Sequence, residues 1–396
     1  MSGVPARVVV VGGGVGGTLV ANLLSRDLGR DVRVTVVDPT GMHSYQPGFL
    51  YVALGEASGR WLFRDERELL RGDVDLAVDG AASIDRDGGI VRLESGANLP
   101  YDYLVLAPGA RLVPEQVPGM SNGESGAGGH HFYSLEGAIR LREAVRQFRG
   151  GRILVGIAGI PYKCPPAPIE FVLMLEDHLR RRGIRKKADI KFLSPLNRAF
   201  TVESASKLVQ PIMDRRGIGL ETFFNVETVD PSAGVVTSLE GEKAEYDLLV
   251  LVPPHRGQRV VEDSGLGDAG GWLPTDRSTL EVEGCERVFA MGDATNLPIS
   301  KSGSTAHFEA PVVASRIASM IRGTAPASSY GGRVMCFLEV GGRKATVLRF
   351  DYEHPPVPPK PSAVWHTAKW MFNRLYWVTV PQGRIPERAV RKEETQ

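Results

Sequence analysis

A glycine-rich turn near the N-terminus constrains the fold of this chain more than any other feature. The apolar run Arg7–Val11 predicts a buried strand, and Thr18–Leu28 has the pattern of a helix. Between them, Gly12, Gly14 and Gly17 stand at the spacing G-x-G-x-x-G. The first glycine permits a tight turn, the second lets the backbone approach a pyrophosphate, and the third packs helix on strand. This order of strand, turn and helix predicts a phosphate-binding turn.

The residues after the first helix strengthen this interpretation. Val32–Val37 reads as a second strand and completes a βαβ unit. Asp38 follows it, about 20 residues after the glycines, where an acidic side chain binds ribose hydroxyls. We therefore predict that Gly12, Gly14, Gly17 and Asp38 bind a dinucleotide.

The strand–helix–strand pattern starts again in the middle of the chain, at Arg152–Ile157, Pro168–Arg182 and Asp189–Ser194. Two such blocks predict an α/β fold with two Rossmann-like, doubly wound domains, the second inserted within the first. The remaining core elements are predicted as strands Tyr101–Ala107, Tyr246–Val252 and Val288–Met291 and helix Thr305–Ile321. The expected domains are residues 1–110 with 246–330 for the dinucleotide, 111–245 for the second domain, and 331–396 for a C-terminal region.

Composition and charge exclude several classes of protein. With 47 basic and 46 acidic residues the net charge is +1, so no nucleic-acid partner is expected. Three cysteines are too few for a secreted disulfide scaffold. The first residues lack the pattern of a signal peptide, and no run reaches the roughly 18 apolar residues of a membrane span. We expect a cytoplasmic protein, or one attached peripherally to the cytoplasmic side of a membrane, and a homo-oligomer remains open.

The turn that opens the second domain departs from the first. Residues 156–168 read GIAGIPYKCPPAP, in which the glycine spacing is lost and four prolines crowd the turn. A pyrophosphate is not expected there. Cys164 lies at the start of the predicted helix beside Lys163, and both a helix N-terminus and a lysine lower a thiol pKa. We predict a reactive thiolate at Cys164; the alternative is a small buried cysteine with only a packing role.

Two further segments resemble the flavoprotein family related to glutathione reductase. ERVFAMGDA, residues 286–294, ends a predicted strand at a Gly-Asp pair, and YDYLVLAPG, residues 101–109, ends another at Pro-Gly. The resemblance implies that FAD is the dinucleotide and that Asp293 holds its ribityl chain. The cofactor-binding residues implied by these two segments are Ala107, Pro108, Gly109, Gly292 and Asp293.

Four segments in order resemble sulfide:quinone oxidoreductases and the related flavocytochrome c sulfide dehydrogenases. They are PYKCPPAPIEF (161–171), ISKSGSTAHFEA (299–310), GGRVMCFLEVG (331–341) and FDYE (350–353). The resemblance places Lys301 beside the flavin, where it favours negative charge on the reduced ring. It also implies that sulfide is the substrate and a membrane quinone the electron acceptor.

The same resemblance implies that Cys164 and Cys336 meet at one face of the flavin as a disulfide or polysulfide bridge. Sulfide attacks the bridge and leaves a persulfide on one cysteine and a thiolate on the other, after which two electrons pass to FAD. We expect Cys336 to take the persulfide and Cys164 to contact the flavin, with the reverse assignment left open. Glu170 carries the most weight among the candidate proton carriers, which also include His130, His131, His178, His255 and His307.

The chain also departs from these families. Many sulfide:quinone oxidoreductases have a third cysteine in the loop before the second domain, but residues 121–134 contain none. Cys285 matches no redox motif and is expected to be structural. Residues 42–49 contain no cysteine, so a covalent link from cysteine to FAD is not expected. A mechanism with two cysteines therefore has to suffice.

The C-terminal region contains an aromatic and basic segment. Trp365, Trp370 and Trp377 are interleaved with Lys369 and Arg374, and apolar residues recur at helical spacing. We predict an amphipathic helix at a membrane surface, which would bring lipid quinone close to the flavin. The alternative is a helix docked on the core or on a second copy of the chain.

A sulfide:quinone oxidoreductase is the leading hypothesis for function. The alternatives are a soluble sulfide dehydrogenase flavoprotein, a type II NADH:quinone oxidoreductase, and a flavoprotein that senses sulfide without catalysis. The lost second glycine motif disfavours NADH, and fold alone does not exclude a sensor.

Overall fold

The computed structural model describes residues 4–120 and 128–384, so part of the glycine-rich loop 121–129 lies outside the described residues. The strands are β1 (Ala6–Val11), β2 (Val32–Asp38), β3 (Met42–Ser44), β4 (Phe63–Asp65), β5 (Asp75–Val78), β6 (Ala81–Asp85), β7 (Ile90–Leu93), β8 (Asn98–Pro100), β9 (Tyr103–Leu106), β10 (Ala110–Leu112), β11 (Gly151–Ile157), β12 (Ala188–Leu193), β13 (Ile218–Glu221), β14 (Val226–Asp230), β15 (Val235–Ser238), β16 (Lys243–Glu245), β17 (Leu248–Val252), β18 (His255–Gly257), β19 (Val288–Ala290), β20 (Val334–Glu339) and β21 (Ala345–Phe350). The α-helices are α1 (Val15–Leu28), α2 (Phe49–Ala53), α3 (Glu66–Leu69), α4 (Leu135–Gln147), α5 (Ala167–Arg181), α6 (Glu203–Arg215), α7 (Arg259–Asp263), α8 (Gly303–Ile321) and α9 (Ala363–Thr379).

The first domain is built on a parallel sheet with the strand order β19-β9-β1-β2-β5. Its central strand is a run of valines, since a strand covered on both faces needs no polar alternation. Val8 and Val10 pack on the side of α1 and α8, while Val9 and Val11 pack on the opposite side. Because β9 and β19 flank the second domain in sequence yet share this sheet, the predicted insertion is confirmed.

The second domain has its own parallel sheet, with the strand order β13-β12-β11-β17. Leu248–Val252 pairs with β11, from Ile153 opposite Leu248 to Ile157 opposite Val252. The predicted boundary between residues 245 and 246, which gave this strand to the first domain, is therefore wrong. A continuous apolar run shows that a strand is buried but not which sheet it joins.

The chain crosses between the domains twice, and the two crossings pair with each other. β10 lies antiparallel to β18, with Leu112 opposite His255. The division therefore falls near residues 112 and 254. Because β10 and β18 are paired, the turn after β9 lies next to the turn after β17.

The C-terminal region is a hairpin, β20 with β21, followed by α9. Ser362 caps the helix by accepting a hydrogen bond from the Trp365 N–H. The Tyr376 hydroxyl lies 2.7 Å from Nε2 of buried His43, so α9 is docked on the first domain. Within residues 4–120 and 128–384, no helix combines the length and apolarity that a membrane-spanning segment needs.

Candidate active site

The predicted glycine turn is present, and the surroundings of each glycine match its predicted role. A Cβ on Gly12, which has φ +106°, would lie 2.4 Å from the Ala107 carbonyl oxygen. One on Gly17 would lie 1.8 Å from the Gly12 oxygen, whereas one on Gly14 would meet no atom within 4 Å. Gly12 and Gly17 therefore permit close backbone packing, and Gly14 faces open space where a phosphate can approach.

Asp38 ends β2 and holds this turn in place. Its Oδ2 accepts a hydrogen bond from the Gly13 N–H at 3.0 Å, and its Oδ1 accepts from the N–H groups of Thr40 and Gly41, both at 2.9 Å. The predicted contact of Asp38 with ribose hydroxyls stays a prediction, but its carboxylate lies beside the phosphate turn as that role requires.

The Gly-Asp turn follows β19 at the same edge of the sheet. Gly292 has φ +68°, a conformation that favours glycine, and its N–H donates to Oε2 of Glu309 at 2.6 Å. Asp293 has an oxygen, Oδ1, that is shielded from solvent and has no hydrogen-bond partner among the described residues. An orphaned buried carboxylate oxygen is costly, so it points to a ligand group that donates to it.

The first turns of α1 and α8 lie side by side at this edge. A Cβ on Gly303 would lie 3.3 Å from Cγ2 of Val15, which opens α1. Two helix N-termini therefore converge where the glycine turn and the Gly-Asp turn meet. Such ends favour negative charge, as a pyrophosphate or a reduced flavin carries.

Two buried lysines flank Asp293. The ammonium of Lys301 donates to the carbonyl oxygens of Asp293 and Thr295 and lies 3.8 Å from the ring centroid of Trp272. Burial lowers the pKa of Lys301 to about 8, and Asp293 opposes that shift. The Lys163 ammonium donates to Oε1 of Gln46 at 3.1 Å, and burial lowers its pKa while Asp293 opposes. The predicted place of Lys301 beside the flavin stays a prediction.

Cys164 lies in a sharp turn ahead of α5. It has φ +51°, a left-handed conformation that costs a non-glycine residue roughly 1–2 kcal/mol. Its N–H donates to the Lys301 carbonyl oxygen at 2.7 Å, and its own carbonyl accepts from the Ala167 N–H at 2.9 Å. The cysteine turn is thereby joined to the segment that leads from the Gly-Asp turn into α8.

Cys336, in the middle of β20, reaches the same place. Its thiol is hydrogen-bonded to Ser302, the N-cap residue of α8, and the N–H of Met335 donates to Ser304 Oγ at 3.0 Å. Cys336 is also close enough that its charge acts on Cys164. The fold therefore brings the two predicted cysteines together beside residues 301–302. Both thiols are free in the structure, as is that of Cys285.

The environment of the cysteines does not stabilise a thiolate, contrary to the prediction. Burial raises the pKa of Cys164 well above its usual range, with Cys336 and Glu170 adding to the effect. Burial likewise raises the pKa of Cys336 to about 12. The helix begins at Ala167, beyond Cys164, and Lys163 donates to Gln46 instead, so neither predicted source of stabilisation dominates.

Glu170 lies on the inner side of α5 and forms a buried ion pair that the sequence did not reveal. Its Oε1 accepts from the ammonium of Lys369 on α9 and from the Glu339 N–H at 2.7 Å. Glu170 and Lys369 are only 5% and 8% exposed. Lys369 is therefore an interior cation on the docked side of α9.

Tyrosines and histidines complete the surroundings. Burial raises the pKa values of Tyr45, Tyr133 and Tyr162, and Cys164 contributes to each shift. Burial lowers the pKa of His131 to about 4 and that of His255 to about 3, so both are neutral at neutral pH. The neutral tyrosines lie near Cys164, and the two neutral histidines lie near Lys163.

The other candidate proton carriers lie elsewhere. His178 lies near the C-terminal end of α5, where its charged neighbours are Arg181 and Arg182. His307 packs edge-on against Phe308, with centroids 5.3 Å apart. The backbone of His130 is hydrogen-bonded to Leu249 of β17.

Glu309 is a site residue that the sequence did not single out. It is fully buried below the Gly-Asp turn, and burial raises its pKa to about 8. Glu309 interrupts the apolar residues of α8 at an inward-facing position, and that interruption was the only sign of it in the sequence. The Gly-Asp turn is thus supported by a carboxyl group whose charge state changes near neutral pH.

The described residues fit FAD. The glycine turn leaves open space at Gly14, two helix N-termini favour phosphates, and Asp293 offers an unpartnered buried oxygen. By contrast, a long proline-rich segment, 158–166, separates β11 from α5, where the first domain has the short turn Gly12–Gly14. Among the described residues, the turn of the first domain is therefore the one shaped for a dinucleotide.

Comparisons with known proteins agree with this description. The family described as pyridine nucleotide-disulphide oxidoreductase matches residues 6–155. The mitochondrial sulfide:quinone oxidoreductase of Mus musculus is 28% identical over 361 residues, which cover 90% of this chain and 80% of that protein. The sulfide-quinone reductase of Aquifex aeolicus is 26% identical over 410 residues, 96% of this chain and 92% of that protein.

A solved structure shows the same fold. The sulfide:quinone oxidoreductase from Aquifex aeolicus superposes with a TM-score of 0.85 at 22% sequence identity, covering 97% of this chain and 94% of that one. The resemblance to sulfide:quinone oxidoreductases that the sequence motifs predicted is confirmed along nearly the whole chain.

Proposed function

We propose that this protein is an FAD-dependent enzyme that oxidises sulfide and passes the electrons to a quinone. The observation that carries the proposal is the meeting of Cys164 and Cys336 beside residues 301–302, next to the predicted flavin site. Only the fold unites them, because they come from different regions of the chain. The relatives in sequence carry the same activity in their names.

The two cysteines act as the sulfur carrier. Hydrosulfide attacks a bridge between Cys164 and Cys336, breaking one S–S bond and forming another, so that one cysteine becomes a persulfide and the other a thiolate. Burial raises the thiol pKa values, and a thiolate of high pKa is the stronger nucleophile, so the thiolate that this step releases gives its electrons readily to an acceptor. The choice of Cys336 for the persulfide is part of the proposal.

FAD supplies the two-electron acceptor that couples sulfur oxidation to quinone reduction. With FAD bound, Gly12, Gly14 and Gly17 would lie against its pyrophosphate and Asp38 against its ribose. Asp293 would accept a hydrogen bond from its ribityl chain, and Lys301 with the α8 N-terminus would favour added negative charge on its ring. The turn residues Ala107, Pro108, Gly109 and Gly292 line this site. Glu170 takes up a proton from the sulfur site.

The C-terminal helix is the proposed contact with a membrane. Its inner side is fixed by Lys369 and Tyr376, whereas its outer side exposes apolar residues together with Arg374. The exposed apolar residues are Val364, Trp370, Met371, Leu375 and Val378. Such a face on a docked helix suits the interface of a bilayer, from which a lipid quinone can reach the flavin site.

Vesicle binding tests the membrane contact. Replacing Trp370 and Met371 by Ser removes two adjacent exposed apolar side chains and is expected to weaken binding to vesicles of phosphatidylcholine and phosphatidylglycerol. Val357→Ser is the matched control, since Val357 is 88% exposed in the linker before the helix. Equal binding by all three proteins would contradict the proposal.

Anaerobic flavin reduction tests the reaction. Sulfide is expected to bleach the flavin absorbance of the purified holoprotein, and NADH is not. Cys164→Ala and Cys336→Ala are expected to abolish reduction by sulfide, and Cys285→Ala to leave it unchanged. Bleaching by NADH alone would favour the type II NADH:quinone oxidoreductase, and full reduction of the Cys164 variant would refute the cysteine mechanism.

A further inference from the structure

A cluster of charged side chains connects the cysteine site with the protein surface. Glu170 Oε1 accepts from the Lys369 ammonium and from the Glu339 N–H. The Glu339 carboxylate in turn contacts Nδ1 of His366, at 3.0 and 3.1 Å to its two oxygens. The side chain of Glu339 is 5% exposed and that of His366 is 32% exposed. The cluster therefore runs from the buried cysteines to solvent.

The inner end of this cluster acts on the cysteines directly. The charges of Glu170 and Lys369 both shift the pKa values of Cys164 and Cys336. A proton that leaves sulfur thus has Glu170 as a nearby acceptor. Its outer end, His366 in the first turn of α9, is the member that water reaches.

Lys369 holds the two carboxyl groups together. Burial lowers its pKa, but Glu170, Tyr51 and Glu339 more than offset that effect and raise the pKa well above its usual range. Lys369 therefore stays charged at rest and can act only by exchanging one of its protons for another. Burial raises the pKa of Glu339, with Lys369 opposing, so Glu339 takes up a proton more readily than an exposed glutamate.

We infer that Glu339 and His366 form the route by which protons pass between Glu170 at the cysteine site and the solvent. The inference rests on the proposed function. Both carboxyl groups lie in the field of one ammonium, so protonation of Glu170 makes Glu339 the better partner for Lys369. Lys369 then gives one of its protons to Glu339 as it takes up the proton of Glu170, and the ammonium keeps its charge. His366 then exchanges the proton of Glu339 with water.

The chemistry requires such a route. Hydrogen sulfide becomes sulfane sulfur by releasing two protons and two electrons, and quinone becomes quinol by taking up two electrons and two protons. The electrons would reach the quinone by way of the flavin, but the protons must leave a site whose surrounding side chains are buried. A chain of titratable side chains that ends at the surface removes them without opening the site to water.

The groups that face this route come from several elements. Tyr51 from α2 lies with its ring centroid 5.8 Å from the Lys369 ammonium, and burial raises its pKa to about 12, so it stays neutral. Tyr45 is neutral for the same reason. Near the surface, Arg349 of β21 lies over the ring of Trp365 and not over His366. The route therefore consists of Glu170, Glu339 and His366, with Lys369 between the two carboxyl groups.

The test is chemical rescue in the sulfide half-reaction. In His366→Ala holoprotein, we expect flavin reduction by sulfide to slow on the order of 10-fold, less than the roughly 100-fold or more for a directly acting acid or base. Added imidazole is expected to restore the rate, because His366 is half-buried and its removal opens a space to solvent. His354→Ala is the matched control: His354 also contacts an acid, Asp351, at 3.0 Å, but is exposed.

Glu339→Gln separates proton transfer from structure. It keeps the size of the side chain but cannot carry a proton, so we expect slow reduction that imidazole does not rescue, with an unchanged unfolding temperature. Wild-type rates in both variants, or rescue of the His354 variant to the same extent, would overturn the route. A defect confined to reoxidation by quinone would also overturn it. Failure of sulfide to bleach even the wild-type flavin would instead overturn the proposed function.

Discussion

Replacing Lys369 by Met tests the buried ion pair that connects α9 to α5. The substitution keeps an unbranched side chain of similar length but leaves the Glu170 carboxylate, 5% exposed, without its cation. Breaking a buried pair by removing one partner costs about 3–5 kcal/mol, because the remaining charge is uncompensated. We expect that decrease in the free energy of unfolding at pH 8, measured by urea denaturation of the holoprotein.

The double variant Lys369→Met with Glu170→Gln separates charge from packing. It buries no charge at either position and retains an oxygen that accepts from the Glu339 N–H, so most of the lost stability is expected to return. The pH dependence has a definite sign. The loss comes from an uncompensated buried charge, so it is expected to be smaller in acid than at pH 8. A single variant as stable as wild type, or a double variant as unstable as the single one, would refute the reasoning.

The glycine turn and the Gly-Asp turn give two further predictions. Gly17→Ala places a Cβ 1.8 Å from the Gly12 oxygen and is expected to destabilise the fold, seen as a lower unfolding temperature of the apoprotein. Gly14→Ala meets no atom within 4 Å, so it is expected to leave that temperature unchanged and to weaken only FAD binding, measured by flavin fluorescence. Glu309→Gln removes a carboxyl group whose folded pKa is raised to about 8. It is expected to stabilise the protein above pH 8, with the gain vanishing as the pH falls below about 4.3, as urea denaturation across pH should show.

Sequence patterns predicted the strands, turns and helices because each of these elements depends on residues that are close together in the sequence. The glycine spacing, the valine run of β1 and the helix after the Gly-Asp turn each depend on neighbours in sequence, and the structure confirms them. The sheet that Leu248–Val252 joins depends on β11, nearly a hundred residues earlier, and the pattern did not show it. Periodicity predicted α9 but not which of its polar residues faces inward.

The buried position of Lys369 shows why the candidate site was predicted only in part. A lysine among tryptophans on a helix is typical of an interface, and only a carboxylate on the facing element reverses that interpretation. That carboxylate, Glu170, is 199 residues away in sequence. The two cysteines were found because a known family carries the same motifs, not because spacing reveals their meeting. The electrostatics of their pocket then depended on burial, which no motif records.

Alkylation of the reduced cysteines tests whether the helix and lysine of the sequence motif, or the burial of the pocket, determine the thiol pKa values. A cysteine activated by a helix and a lysine would react with iodoacetamide at a rate that levels off near neutral pH, because the thiolate is the nucleophile. In this structure burial raises the pKa of Cys336 to about 12 and that of Cys164 further still. In the Cys285→Ala apoprotein we therefore expect the rate to keep rising with pH through pH 10. The same chain in urea is expected to level off near the ordinary thiol value of about 8.5.

A plateau near neutral pH in the folded protein would refute the raised pKa values. It would also weaken the proposed direction of electron flow. A pocket that stabilised a thiolate would hold electrons on sulfur, whereas a thiolate released in an apolar pocket gives up its electrons more readily. The apolar walls around Cys164 and Cys336 thus contribute to the reaction by disfavouring the thiolate, and the alkylation profile measures how far it is disfavoured.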